Sequence, residues 1–416
     1  MADGHFLDVE TWHEHESLIL PSPCQPGVKM DRQPTDSCLF DLLNRVEPTS
    51  ILLVRGNEAY NAGPSSPKRR IEPQIRAYLQ DRNLSSDRLI QVSGFYNYPT
   101  LDDVQRVAQQ INEQKVDLVI GIGGGMPMDI AKAASMLATQ PEGAEIYLTG
   151  KAVPQPRRIR LILIPTTAGT GAEVTHFSVV YMDKIKYSLA YPSMGADYAL
   201  IIPELTYTLP KSVTATSGCD AIAQAIEAFW SVNATPESRQ YSMQALSHLL
   251  PHIVEAVHRP TEENRRAMLL GACYAGMAIN IAKTTWAHAA SYWLTAHKPI
   301  SHGHTVMLTL PYLFPMVAEA DEQTLQKTEH LTVDLLREQM AALYHILGVQ
   351  NGLEARDRLH NLMDACGLER HLGRLDVKPS DLEEIVDAVN PERMKNMPIT
   401  ISRESALDIL HQASRP

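Results

Sequence analysis

The hydrophobic pattern divides this chain in two. In the first half, short apolar runs rich in β-branched residues alternate with amphipathic stretches. "TSILLVRGNEAY" (49–60) reads as a buried strand ending at Gly56, and "RRIEPQIRAYLQDR" (69–82) has helical spacing. "RLIQVSGF" (88–95) is a second strand, and "TLDDVQRVAQQINEQ" (100–114) is a helix with Thr100 as N-cap and acidic residues in its first turn. "VDLVIGIGGGMPMDIAKAASML" (116–137) predicts a strand at 116–122, a glycine turn and a helix from about Pro127. "IRLILIP" (159–165) is a further strand. Strands alternating with helices imply a doubly wound parallel sheet, so the first half is expected to be an α/β domain over 1–205. From about Leu205 the β signals thin out. Helical periods then run over 212–230, 237–257, 262–296, 322–347 and 352–366, which predicts an all-α domain over 206–416. The first 48 residues lack sustained periodicity and are expected to add a strand or two against the main body.

Gly123, Gly124 and Gly125 stand between a buried strand and a helix start, where backbone N–H groups can approach a pyrophosphate and the helix dipole favours an anion. Asp129 lies in the first turn of that helix. The turn after "IRLILIP" offers Thr166, Thr167 and Thr170 beside the glycines. Gly56 and Lys186 complete the cofactor-binding candidates. The glycine spacing matches neither the usual dinucleotide fingerprint nor a P-loop, so by itself it leaves nucleotide binding and a purely structural turn equally open.

Composition narrows the classes. A length of 416 residues suits two domains, and 44% hydrophobic with 20% charged residues suits a folded globular chain. A net charge of −11, with no basic run longer than "PKRR", argues against nucleic acid as a partner. No basic leader precedes an apolar run and no apolar stretch reaches spanning length, so a cytoplasmic protein with no membrane partner is expected. Cys24, Cys38, Cys219, Cys273 and Cys366 form no CxxC pair and are expected to be reduced thiols. "HEHE" at His13 to Glu16 reads as a solvated segment and is assigned no metal.

In "GCDAIAQAIEAF" (218–229), Asp220 and Gln224 share one helix face at i, i+4. His288 follows in "TTWAHAASY" and His302 in "PISHGHTVMLTLP". One carboxylate, one amide oxygen and two imidazoles suit a divalent cation with open positions. Each histidine alone is more readily read as a satisfied core or capping residue than as a ligand.

"GGGMPMDIAKAAS", "PTTAGTGAEVTHFSVV", "DYALIIPELTYTLP", "TATSGCDAIAQAIEAF" and "SHGHTVMLTLP" occur in the order and spacing of the iron-containing (group III) alcohol dehydrogenases, and the chain resembles that family over most of its length. The resemblance implies the dehydroquinate synthase-like architecture, a Rossmann-like domain binding NAD(P)H followed by a helical domain. It also implies a divalent metal, Fe2+ or Zn2+, that polarises a carbonyl for hydride transfer, and a homodimer. The family's ligands map to Asp220, Gln224, His288 and His302, with Gln224 standing where the family has histidine. Tyr292 replaces a further histidine, and Lys283, Thr284 and Thr285 replace a Gly-rich apolar stretch.

These departures resemble the branch that reduces phosphonoacetaldehyde to 2-hydroxyethylphosphonate. That resemblance makes Lys283, Thr284 and Arg239 candidates for binding a phosphonate, and His288, His304 and Lys283 the catalytic candidates. Arg55-Gly56-Asn57 after the first strand carries no carboxylate to exclude a 2′-phosphate, so NADPH is expected to be tolerated. A reductase of uncharged short-chain aldehydes, a dehydroquinate synthase-like lyase and a nucleotide-binding relative without activity stand as alternatives.

Overall fold

The computed structural model describes residues 16–23, 31–96, 98–183, 185–328 and 330–415. His13 to His15 of "HEHE" lie outside them. The chain forms two compact units. One runs through Leu209 and includes Thr261–Leu269; the other comprises Pro210–Pro260 and Leu270–Pro416.

The first unit is built on a seven-stranded sheet. Its strands are β1 (Glu16–Pro21), β2 (Asp31–Pro34), β3 (Ile51–Arg55), β4 (Leu89–Val92), β5 (Leu118–Gly123), β6 (Arg160–Pro165) and β9 (Tyr198–Ile201), in the order β2-β1-β9-β6-β5-β3-β4. The five from β4 to β9 are parallel, and β1 joins β9 antiparallel with β2 beyond it. The early polar segment therefore supplies the antiparallel edge. β7 (Phe177–Met182) and β8 (Ile185–Ala190) form a separate hairpin.

The apolar runs are continuous because both sheet faces are covered. Leu52, Val54, Val119, Leu161 and Leu163 enter one core, while Ile51, Leu53, Leu118, Ile120, Ile162 and Ile164 enter the other. After β3 the chain passes outward to β4 and returns to β5 on the other side of β3. The carboxyl ends of β3 and β5 thus flank a topological switch point, where open α/β sheets bind ligands. Helix α1 (Gly125–Leu137) begins there, directly after β5.

The second unit is helical among its described residues, apart from one isolated bridge, Leu325 to Ile399. Its principal helices are α2 (Lys211–Trp230), α3 (Pro236–His258), α4 (Glu262–Ala282, whose first residues belong to the first unit), α5 (Trp286–His297) and α6 (His302–Met307). No single helix among the described residues is long and apolar enough to cross a membrane.

Two helical expectations are corrected. The period over 262–296 is two helices, not one: Lys283 has φ of +62° and donates its N–H to Ile279 O, which closes α4. A non-glycine residue in this region costs on the order of 1–3 kcal/mol, so neighbours must hold it. They do. The Ala282 carbonyl accepts from Ser231 Oγ at 2.6 Å, and the Thr284 carbonyl accepts from Asn396 Nδ2 at 2.9 Å. The period over 322–347 becomes a helix only at Val333–Leu347, because Asp321 Oδ1 gathers the N–H groups of Gln323 and Thr324 into a turn and Thr332 caps the later start.

Candidate metal centre and dinucleotide turn

Asp220, Gln224 and Glu227 stand at i, i+4 and i+7 on one face of α2, and all three are buried. α6 packs against this face at Gly303, where a β-carbon would lie 2.0 Å from Thr216 O and 2.7 Å from Asp220 Cβ. Only glycine allows that approach, which carries His302 to Asp220. From α5 comes His288. Its Nε2 lies 3.4 Å from Asp220 Oδ1, and His302 Nε2 lies 3.9 Å from the same oxygen. One ligand atom from each of the three residues falls within 4.8 Å of the others.

Both rings are held at their other nitrogen. His288 Nδ1 meets Glu227 Oε2. Ser291 Oγ donates to His288 O at 2.7 Å, so its oxygen is left to accept from His302 Nδ1 at 3.2 Å. Each Nε2 is thereby left to present a lone pair inward.

The donor set fits a divalent cation. Among the described residues His288 Nε2 and Gln224 Oε1 are buried without a hydrogen-bond partner, and two buried carboxylates, Asp220 and Glu227, flank one imidazole. Burial works against a charged His288, yet Glu227 and Asp220 push its pKa up to about 10. A pocket that pulls so hard for positive charge is suited to a metal ion in place of the ring proton. Gln224 Nε2 donates to Asp220 Oδ2 at 3.0 Å, fixing the carboxylate with Oδ1 toward the imidazoles.

In the first unit, Gly124 is the N-cap of α1. Gly123, at φ +150°, has no room for a β-carbon, which would lie 2.4 Å from Pro127 Cγ, and one on Gly125 would lie 2.9 Å from Thr170 Cγ2. Thr166 N donates to Gly123 O at 2.8 Å. The glycine run and the threonine turn therefore form one close-packed surface with free helix N–H groups at its edge.

Two family models match the chain: iron-containing alcohol dehydrogenase over residues 61–203, and the C-terminal part of the Fe-containing alcohol dehydrogenase family over residues 214–414. The chain belongs to the iron-containing alcohol dehydrogenase family. It is an oxidoreductase of a family that uses NAD(P) and iron. Long-chain-alcohol dehydrogenase 1 of Geobacillus thermodenitrificans (strain NG80-2) is 30% identical over 71% of this chain and 74% of its own length. Phosphonoacetaldehyde reductase of Streptomyces viridochromogenes (strain DSM 40736) is 33% identical over 76% of this chain and 80% of its own. The crystal structure of sulfoacetaldehyde reductase from Bifidobacterium kashiwanohense in complex with NAD+ superposes with a TM-score of 0.77 at 25% identity, covering 90% of this chain and 94% of that one.

Within this alcohol dehydrogenase fold the remaining candidates lie as follows. Tyr292, at the family's further histidine position, stacks on His302 with ring centroids 6.0 Å apart. His304 is not in the three-residue cluster; its Nε2 is 2.5 Å from Glu369 O, and burial lowers its pKa. Lys283 is half-buried, and burial together with the nearby Arg393 guanidinium lowers its ammonium pKa. Among the described residues neither cation has a carboxylate partner. Thr284 is buried next to it. Arg239, on α3, has a buried Nε without a hydrogen-bond partner among the described residues, and burial lowers its pKa.

Gly56 follows β3 and donates its N–H to Ile122 O at 3.3 Å. Asn57 spans the next loop, its amide donating to Phe95 O and accepting from Gly94 N. Asp129 braces α1, with Oδ2 accepting from Val179 N at 3.1 Å and Oδ1 paired with Lys132 at 3.1 Å. Lys186 lies on the hairpin opposite Tyr181.

Glu227, Ser291, Lys132 and Arg393 escape sequence reasoning. The i+7 spacing of Glu227 from Asp220 was a usable signal. Lys132 looks like an ordinary helix cation, but it is fully buried and donates to Ala172 O, Thr175 Oγ1 and Phe177 O.

Proposed function

We propose that this chain reduces phosphonoacetaldehyde, or a closely similar small aldehyde with an anionic head, to the primary alcohol. The observation that carries the reading is a partly buried Lys283 whose ammonium feels the charge of Arg393. Burial and the Arg393 charge lower the Lys283 ammonium pKa, with no carboxylate paired to either cation among the described residues, and an anion bound there would offset both effects. The 33% identical phosphonoacetaldehyde reductase supports the phosphonate as that anion.

When bound, the reduced nicotinamide supplies hydride and the divalent metal supplies Lewis acidity toward the carbonyl. Asp220, His288 and His302 would hold the metal, and Gln224 keeps the Asp220 carboxylate in place or lends its amide oxygen. Gly123 to Gly125 with Thr166, Thr167 and Thr170 would receive the pyrophosphate, and α1 would face it with its N-terminal N–H groups. The absence of a carboxylate in Arg55-Gly56-Asn57 leaves room for the 2′-phosphate, so NADPH is tolerated beside NADH. Lys283 and Arg393, together with Thr284 and Arg239, would orient the phosphonate, so that binding strength far from the carbonyl serves its alignment. Solvent is the proton source that fits best, since the His304 ring is engaged by the Glu369 carbonyl. A homodimer in the cytoplasm is part of the same reading.

The test is reduced-nicotinamide oxidation with phosphonoacetaldehyde and with propanal, each before chelation, after chelation and after anaerobic addition of iron(II) or zinc. Metal-dependent turnover that favours the phosphonate agrees with the proposal. Equal or better reduction of propanal would replace it with a reductase of uncharged aldehydes.

A further inference from the structure

His288 is held from behind by a residue with no part in the reading above. Glu227 lies on the Asp220 face of α2 and is fully buried, and its carboxylate reaches three groups. Oε2 meets His288 Nδ1, while Oε1 accepts from the Thr285 hydroxyl and from Ala287 N at 3.0 Å. Thr285 is itself fixed, its Oγ1 accepting from Trp230 Nε1 at 3.3 Å. A carboxylate engaged on both oxygens cannot rotate away from the ring.

Two roles can be separated. A carboxylate that merely closes the first turn of α5 needs only to accept from Thr285 and Ala287, and an amide oxygen does that equally well. The contact with His288 is different, because a carboxylate can only accept there. Nδ1 must carry a proton, which makes Nε2, 3.4 Å from Asp220 Oδ1, the nitrogen that can exchange its proton for a cation.

We propose that Glu227 is the positioning residue for the metal ligand His288, setting its tautomer and ring orientation and strengthening it as a donor. This rests on the assignment of the Asp220, His288 and His302 cluster as the metal site. The ring is held on one side by the first turn of α5, which carries it, and on the other by Glu227. One buried carboxylate therefore fixes both the backbone that bears the ligand and the ligand's tautomer.

The decisive variant is Glu227→Gln. Its Oε1 can still accept from Thr285 and Ala287, but its amide N–H then faces His288 Nδ1, forces that nitrogen to accept, and moves the ring proton to Nε2. The metal-free variant is expected to fold and to bind NADPH within about twofold of wild type. Its affinity for Zn2+ and Co2+, titrated against a competing chelator, should fall roughly 10–100-fold, with an altered Co2+ absorption spectrum. Glu227→Asp, which keeps the carboxylate, should recover part of the loss. A folded Glu227→Gln protein that binds Zn2+ as tightly as wild type overturns the inference and leaves the metal assignment standing. Wild-type protein that binds neither metal overturns both. If Glu227→Gln does not fold, nitrogen NMR of zinc-loaded wild type decides: a protonated His288 Nδ1 supports the inference, and an unprotonated one overturns it.

Discussion

Gly303 lies against Asp220 so closely that a β-carbon would be 2.7 Å from Asp220 Cβ and 3.0 Å from its backbone nitrogen. The approach of α6 to α2 sets where His302 stands relative to the carboxylate. Gly303→Ala should therefore act on the site before it acts on the fold. Overpacking costs on the order of 1–3 kcal/mol, and the shift needed to relieve it separates His302 from Asp220. The expected outcome is a folded protein with a lowered Tm and a loss of Zn2+ affinity of at least about tenfold, measured by calorimetric titration.

Lys283 and Arg393 should behave as one anion subsite. Charged hydrogen bonds of this kind contribute about 1.5–3 kcal/mol, so Lys283→Ala or Arg393→Ala should raise KM for phosphonoacetaldehyde by roughly 10–150-fold. KM for propanal should change less than about twofold, as a steady-state comparison of the two substrates will show. Equal losses on both aldehydes would mean that these residues serve the fold alone.

The same subsite has a pH signature. Burial and Arg393 lower the Lys283 pKa below its ordinary value of 10.5. The cation is present below that lowered pKa and disappears as pH rises through it. KM for the phosphonate, measured where its head group is fully ionised, should therefore climb at alkaline pH below 10.5, while KM for propanal stays level. Lys283→Arg should flatten the climb, because a guanidinium keeps its charge.

Glu173 makes a prediction about stability. Burial pushes its pKa from 4.5 up to about 7, against the opposing charge of Lys132. The folded state thus holds this proton more tightly than the unfolded chain. Its contribution is complete below pH 4.5 and is lost as pH rises through 7. The loss amounts to about 3 kcal/mol at one pKa unit per 1.36 kcal/mol. Glu173→Gln should remove that slope, so that urea unfolding at pH 5 and pH 8 gives closer stabilities for the variant than for wild type. A wild-type slope that persists in the variant would assign it elsewhere.

The parallel sheet, the glycine turn and the pairing of Asp220 with Gln224 were legible in the sequence because each follows from local periodicity. A run buried on both faces, a helix start after glycines and an i, i+4 spacing need no knowledge of distant residues. The histidines were legible as candidates and, through family resemblance, as ligands. Their convergence was not, because it depends on a backbone contact at Gly303.

The break at Lys283 shows the limit most clearly. Helical spacing continues unbroken through 262–296. What ends α4 is a left-handed residue stabilised by Ser231 and Asn396, separated from the carbonyls they satisfy by 51 and 112 positions. Glu227 and His288 likewise meet across 61 positions. The amino-acid order by itself determined most of the elements, the family and most of the candidate site residues, since these depend largely on neighbours within a turn or two. Only the tertiary structure decided which imidazole nitrogen faces inward, which carboxylate stands behind it and which cation acts on Lys283, because those are set by side chains brought together only once the helices have packed.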